Sequence, residues 1–112
     1  GRLPRTWIAA IRNHTTASIA GSTGVDGVED VVKYLLAGAD VVMTTASLIR
    51  HGRELAGRLA AELGIWLDAK GYSSVAQIRG RCALPSATEA NRIERGGYVA
   101  AIRKAKERYG SL

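Results

Sequence analysis

Residues 21–47 read GSTGVDGVEDVVKYLLAGADVVMTTAS, and the way this stretch divides decides the fold. Val28, Val31, Val32, Leu35 and Leu36 recur at spacings of three and four, which puts them on one stripe of an α-helix. The helix is expected over residues 25–37. Asp26, Glu29 and Asp30 lie in or near its first turn, where the helix dipole favours carboxylates, and Gly38 supplies the stop. Past the stop, Val41-Val42-Met43 centres a strand over residues 40–44. Ahead of the helix, Ala17-Ser18-Ile19-Ala20 is the short, small and apolar run of a buried strand, expected over residues 16–20. A strand, a helix and a strand in that order need a crossover, so the two strands should pair in parallel with a right-handed connection.

Working outward, Trp7, Ile8 and Ile11 with Pro4 near the start suit a helix over residues 3–12. Downstream, Leu55, Leu59, Leu63 and Trp66 share one face of a helix over residues 53–70, stopped at Lys70-Gly71, and Trp66 reads as core. Ser74 and Gln77 have the spacing of a capping box that opens a short helix ending near Arg79. Ser86 and Glu89 repeat that spacing before a last helix over residues 87–109. The chain divides into strand–helix units over residues 1–85 and a helical tail over 86–112.

Chemistry concentrates in the two strand-to-helix turns, Gly21-Ser22-Thr23-Gly24-Val25 and Thr44-Thr45-Ala46-Ser47. Both follow C-terminal ends of strands, where parallel β/α proteins build their sites. Small residues let backbone N–H groups approach an anion closely, and two such turns one helix apart can grip one phosphate from both sides. Either turn alone reads better as a tight turn and nothing more; the pair, one helix apart, tips the reading toward phosphate.

The composition narrows the partners. The chain has 112 residues with 16 Lys+Arg against 10 Asp+Glu, a net charge of +6, and no Phe. The basic residues are spread, without a run of five, so a solvated basic face is favoured over a nucleic-acid site. Cys82 is the single cysteine, which excludes an internal disulfide and a multi-cysteine metal site and suits a reducing cytoplasm. His14 and His51 have no spacing that joins them as metal ligands; His51 follows the second turn and reads as structural. No apolar run approaches the roughly 18 residues of a membrane span. Gly1-Arg2-Leu3-Pro4 has no signal-peptide pattern, and the start without Met permits truncation or processing.

Several segments together resemble the dihydroorotate dehydrogenase-like enzymes. TGVDGVEDV at 23–31 resembles their "GGI…EDA" segment, and AGADVVM at 37–43 their "AGA" stretch and eighth strand, continued by Leu48-Ile49-Arg50-His51-Gly52. WLDAKGYSSVAQIRG at 66–80 is similar to their "KGY.S…RG" ending, also found in the related dihydropyrimidine dehydrogenase barrel. Trp7-Ile8-Ala9 and residues 92–98 resemble one subgroup. In that family the FMN phosphate rests on backbone amides after strands seven and eight. By position this implies Thr23 and Gly24, then Thr45 and Ala46, with Ser47 as a lesser candidate. The family often has two glycines where Thr23-Gly24 stands, and its "GTA" is Thr45-Ala46-Ser47 here. A grip made by main-chain donors survives both changes. The family's general base, a Cys or Ser, and its substrate-binding Asn and flavin-contacting Lys come from upstream strands. None lies in the matched region, and Cys82 falls past the last strand, so no catalytic residue is assigned.

The expected fold is therefore an α/β chain, the C-terminal fragment of a TIM (β/α)8 barrel: about the last two strand–helix units plus C-terminal helices. A full barrel takes eight strands and about 250 residues. The resemblance implies a flavoprotein oxidoreductase of pyrimidine metabolism with FMN as cofactor and a dihydropyrimidine-like substrate. The partner is then the remaining N-terminal part of the barrel, a homo-oligomer is compatible, and the separate chain should be inactive. Two alternatives stay open: another phosphate-binding barrel enzyme, such as a synthase or isomerase, or a small basic nucleic-acid-binding module.

Overall fold

The computed structural model describes residues 2–84 together with Gly97, Val99, Ala100 and Arg103, these four being helical. In chain order come α1 (Arg2–Ile11), a 3-10 turn (Arg12–His14), β1 (Ala20–Gly21), α2 (Val28–Ala37), β2 (Val41–Val42), α3 (Ala46–His51), α4 (Glu54–Ala69) and a closing 3-10 turn (Val75–Gln77). β1 and β2 pair in parallel, Ala20 opposite Val41 and Gly21 opposite Val42, with α2 crossing between them. The strand–helix–strand unit read from residues 16–44 is thus present, although β1 overlaps the expected 16–20 only at Ala20. Apart from the four residues named, the helix expected over 87–109 and the tail over 86–112 lie outside the described residues. No helix among the described residues is long and apolar enough to cross a membrane.

The boundaries differ from expectation for identifiable reasons. The strands are two residues each rather than five. The ladder extends only through Asp40 and Val41 N–H donating to Ile19 O at 2.8 and 3.2 Å and Met43 N–H to Gly21 O at 2.8 Å. At Thr44 the chain leaves the ladder to bond the Val25 carbonyl. α2 starts at Val28, not at residue 25, because Thr23 and Gly24 take positive φ and Gly27 is extended, at φ −146°. Val25 is instead a buried core residue. α3 is a helix where a turn was expected; its six residues are too few to show a period. Ser74 makes no cap bond; Gln77 Oε1 accepts instead from Ser73, N–H at 2.7 Å and hydroxyl at 3.3 Å.

α2 is the central element because it buries two faces. Tyr34 and Ala37 pack with Ile8, Val25 and Ala39, while Leu35 packs with Leu67 and Ile78; Val31 and Val42 touch both groups. Burying one such apolar side chain is worth about 1.5–3 kcal/mol. Paired 5→2 and 6→1 bonds close both long helices: Gly38 N–H to Leu35 O and Ala39 N–H to Tyr34 O end α2, and Gly71 N–H to Asp68 O and Tyr72 N–H to Leu67 O end α4. Tyr72 then stacks on Trp66 at 6.4 Å between centroids, with the Arg81 guanidinium 5.2 Å over its ring. The Lys70-Gly71-Tyr72 segment therefore ends a helix and packs it. Beyond it, Gly80 N–H and Cys82 N–H donate to the Leu35 and Leu36 carbonyls at 2.9 and 2.8 Å, and Leu84 N–H to Ala9 O at 2.9 Å. All three carbonyls lie in the last turns of α2 and α1, where intrahelical partners run out, and Leu35 O takes Gly80 N–H in addition to Gly38 N–H.

The N-terminal end of the strands is held by charge. Asp40 accepts Ile19 N–H at 2.8 Å, Arg79 at 2.7 Å and Arg12 at 2.8 Å, and Arg12 also donates to the carbonyls of Gly38, Thr15 and Ala17 at 3.2, 3.0 and 3.1 Å. An open depression lined by Arg12, Asn13, Asp40, Ala76, Arg79 and Gly80 lies here, its charges already paired with one another. Residues at this end of a β/α unit serve stability rather than chemistry. The Ile19 N–H first, then Arg79 and Arg12, outweigh burial and hold the Asp40 carboxyl at about 2 against an ordinary 3.8. A carboxyl lowered on folding stabilises the fold fully above its unfolded value and loses that contribution as pH falls through the folded one. Stability should thus decline between about pH 4 and pH 2. In Asp40→Asn that part of the slope should be absent, as read by urea unfolding at a series of pH values.

Candidate functional site

At the other end of the strands, β1 runs into Ser22-Thr23-Gly24-Val25 and β2 into Thr44-Thr45-Ala46-Ser47. Thr23 has φ 77° and Gly24 φ 63°. A non-glycine residue in this region costs on the order of 1–3 kcal/mol and persists only where its surroundings impose it. Here the imposition comes from α2. Tyr34, fully buried, shares its one hydroxyl proton between Thr23 O at 2.8 Å and Ser22 O. The ring reaches that position because residue 21 is glycine; a Cβ there would stand 2.9 Å from Tyr34 Cε1.

The second turn is joined to the first by hydroxyls. Thr44 Oγ1 donates to Val25 O at 2.9 Å, and Ser47 Oγ shares its one proton between the same carbonyl at 2.6 Å and the Asp26 carboxylate. Arg50 donates to that carboxylate from the outside. The Ser47 hydroxyl, then Arg50 and His51, lower the Asp26 carboxyl against the opposing effect of burial. Ser47 is buried, so its hydroxyl serves the join between the turns and does not face outward.

The remaining four sequence candidates lie two on each of the turns so joined. Thr23, Gly24, Thr45 and Ala46 are all exposed, and among the described residues their backbone N–H groups donate to no protein acceptor. Unpaired main-chain donors on two adjoining turns suit an anion with several oxygens. The neighbouring carboxylate of Asp26 is already paired with Arg50, so it does not leave an uncompensated negative charge at the turns. No cluster of three His, Cys, Asp or Glu suited to a metal occurs among the described residues. Cys82 is exposed beside the end of α2, with its N–H bonded to Leu36 O, away from both turns.

Sequence reading did not single out Tyr34, Thr44 or the Asp26–Arg50 pair. Tyr34 sits in an apolar run and reads as core, and no local spacing signals that its hydroxyl reaches back to Ser22 and Thr23. Asp26 and Arg50 are brought together only by the crossover.

Comparison with known proteins agrees with the sequence resemblance. The chain is 34% identical over 70 residues to a dihydroorotate dehydrogenase (fumarate) of Lachancea kluyveri, covering 62% of this chain and 22% of that one. It is 38% identical over 63 residues to a probable dihydroorotate dehydrogenase A (fumarate) of Enterococcus faecalis, and 32% identical over 63 residues to the dihydroorotate dehydrogenase (fumarate) of Saccharomyces cerevisiae, in each case covering 56% of this chain and 20% of the relative. The chain thus spans about a fifth of the length of the curated relatives it matches. No protein-family model matches it. Over more than half of its length the sequence is dihydroorotate dehydrogenase-like.

Proposed function

We propose that this chain supplies the phosphate end of an FMN site in a dihydroorotate dehydrogenase-like β/α barrel, as the last two strand–helix units of that barrel and its C-terminal helices. The observation that supports the reading is that Thr23, Gly24, Thr45 and Ala46 are exposed, with N–H groups that meet no protein acceptor among the described residues, on two turns tied together through Val25 O. Among phosphate-bearing ligands, the similarity to dihydroorotate dehydrogenases favours FMN. Bound there, FMN would supply the hydride acceptor for a dihydropyrimidine-like ring. The chain's own part is to bind and orient: the four amides hold the phosphate, and Ser47 and Thr44 keep the turns at a fixed separation.

Completion by the rest of a barrel accounts for an uncovered face. Val41 and Met43 are 55% and 53% exposed, whereas Val42 between them packs against the helices. Alternate strand residues point to opposite faces, so one side of β2 is left for the barrel interior. Each strand also has an outer edge with no neighbour among the described residues, and open edges call for further strands. The partner in this reading is the N-terminal part of the barrel, and the setting is the reducing cytoplasm. The base and the substrate contacts then belong to that part, so the 112-residue chain with added FMN should give no turnover of dihydroorotate. Measurable oxidation by the pure chain would show catalytic groups inside it and overturn this division of labour.

The phosphate reading is tested on the isotopically labelled chain by following amide resonances while FMN, and separately riboflavin, is added. FMN should shift Thr23, Gly24, Thr45 and Ala46, and riboflavin, which lacks the phosphate, should leave them in place. Equal responses to both flavins, or none at these residues, would remove the phosphate from this site.

A further inference from the structure

The geometry points to Tyr34 as a positioning residue that aims the first turn's amides at the phosphate. This role rests on the phosphate reading of the turns, and it begins with the planarity of the peptide. In a trans unit the C=O and the N–H point in opposite directions. Ser22 O shares its unit with Thr23 N–H, and Thr23 O shares its unit with Gly24 N–H. The single Tyr34 hydroxyl proton faces both of these carbonyls and is shared between them, with Thr23 O at 2.8 Å. Drawing both carbonyls inward toward a buried phenol turns the two N–H groups outward, and these are half of the donors assigned to the phosphate. The left-handed Thr23 is the conformational cost of this arrangement. The hydroxyl is fixed in turn: Tyr34 is 0% exposed, packs with Ile8, Val25, Ala37 and Ala39, and carries the Arg5 guanidinium 5.8 Å over its ring. Its ring fits against β1 only because residue 21 has no side chain. Packing against the helix face thus sets the direction of main-chain donors at the site, and the second turn has its own device in the Thr44 and Ser47 hydroxyls.

The test removes the hydroxyl and keeps the ring. In the labelled chain, Tyr34→Phe should retain a folded spectrum yet bind FMN at least about threefold more weakly, the order expected for one hydrogen bond. Riboflavin should still leave the Thr23 and Gly24 amides in place. Residual dipolar couplings should show the Thr23 and Gly24 N–H vectors turned from their parent orientation, which a merely weakened core would not produce selectively. Replacing Tyr34 by para-aminophenylalanine, which keeps a donor at the tip of the ring, should restore both affinity and orientation. Should Tyr34→Phe keep FMN affinity and both N–H orientations while the parent chain responds to FMN at these amides, Tyr34 has no positioning role and the phosphate reading stands. Should the parent chain itself show no FMN-dependent shift there, the phosphate reading fails and this inference with it. Loss of the folded spectrum in Tyr34→Phe would assign the hydroxyl to folding and likewise overturn the positioning role.

Discussion

Ile78→Ala should destabilise the chain by about 2–5 kcal/mol, among the largest effects expected of any single truncation here. Ile78 is 0% exposed and packs with Leu35 of α2 and Leu67 of α4. Truncation removes apolar contact from a place that three segments share and leaves a cavity those segments cannot easily close. The loss also loosens residues 79–82, because Gly80 and Cys82 N–H hold the end of α2. Ile78→Val, which deletes one methylene, should cost about 0.5–1.5 kcal/mol. Ile65 is a control of the same size on α4 that is 69% exposed, and Ile65→Ala should stay within about 0.5 kcal/mol. Urea unfolding monitored by far-ultraviolet circular dichroism gives all three values. Similar losses for Ile78→Ala and Ile65→Ala would show that the segment after α4 is not part of the cooperative core.

How much of the fold is legible in the sequence depends on the range of the interaction. The α2 stripe, the Gly38 and Gly71 stops and the parallel pairing come from local periodicity and connection rules, and the structure has them. The same rules put the two turns at one end of the sheet, which is why the candidate residues could be named. Boundaries shift where a distant partner outbids the local pattern. Val25 looks like the first residue of a helical stripe, but its carbonyl is taken by Thr44 and Ser47, residues 19 and 22 positions away. Ser47 is a lesser ligand candidate by its position in the resemblance; burial and the Asp26 carboxylate turn its hydroxyl inward. Ser74 looks like a cap, but Gln77 finds Ser73 instead. Contacts of Tyr34 with Thr23, and of Asp40 with Arg12 and Arg79, join residues separated by 11 to 39 positions and leave no trace in spacing. The resemblance to a family carries the identity of the ligand, which no turn geometry specifies.

Substitution of Gly24 should weaken FMN binding more than any other change at the turns. Two separate effects act there. Gly24 has φ 63°, a conformation that costs an L-residue about 1–2 kcal/mol and a β-branched one more. Its N–H is also one of the exposed donors assigned to the phosphate, and a side chain would stand between that donor and an oxygen. Gly24→Val meets both penalties and should lower FMN affinity at least tenfold, about 1.4 kcal/mol. Gly24→Asn separates them, because asparagine tolerates the left-handed region. It should fold with little strain and still lose much of its affinity for FMN. Ser47→Ala should cost less, since Val25 O keeps its bond from Thr44 and the amides are untouched. The comparison uses FMN titrations of the labelled chain, with folding monitored by circular dichroism. A Gly24→Asn chain that folds and holds FMN as tightly as the parent would remove Gly24 from the phosphate grip. If Gly24→Val alone loses FMN, and does so together with its fold, Gly24 is required by the turn and not by the ligand.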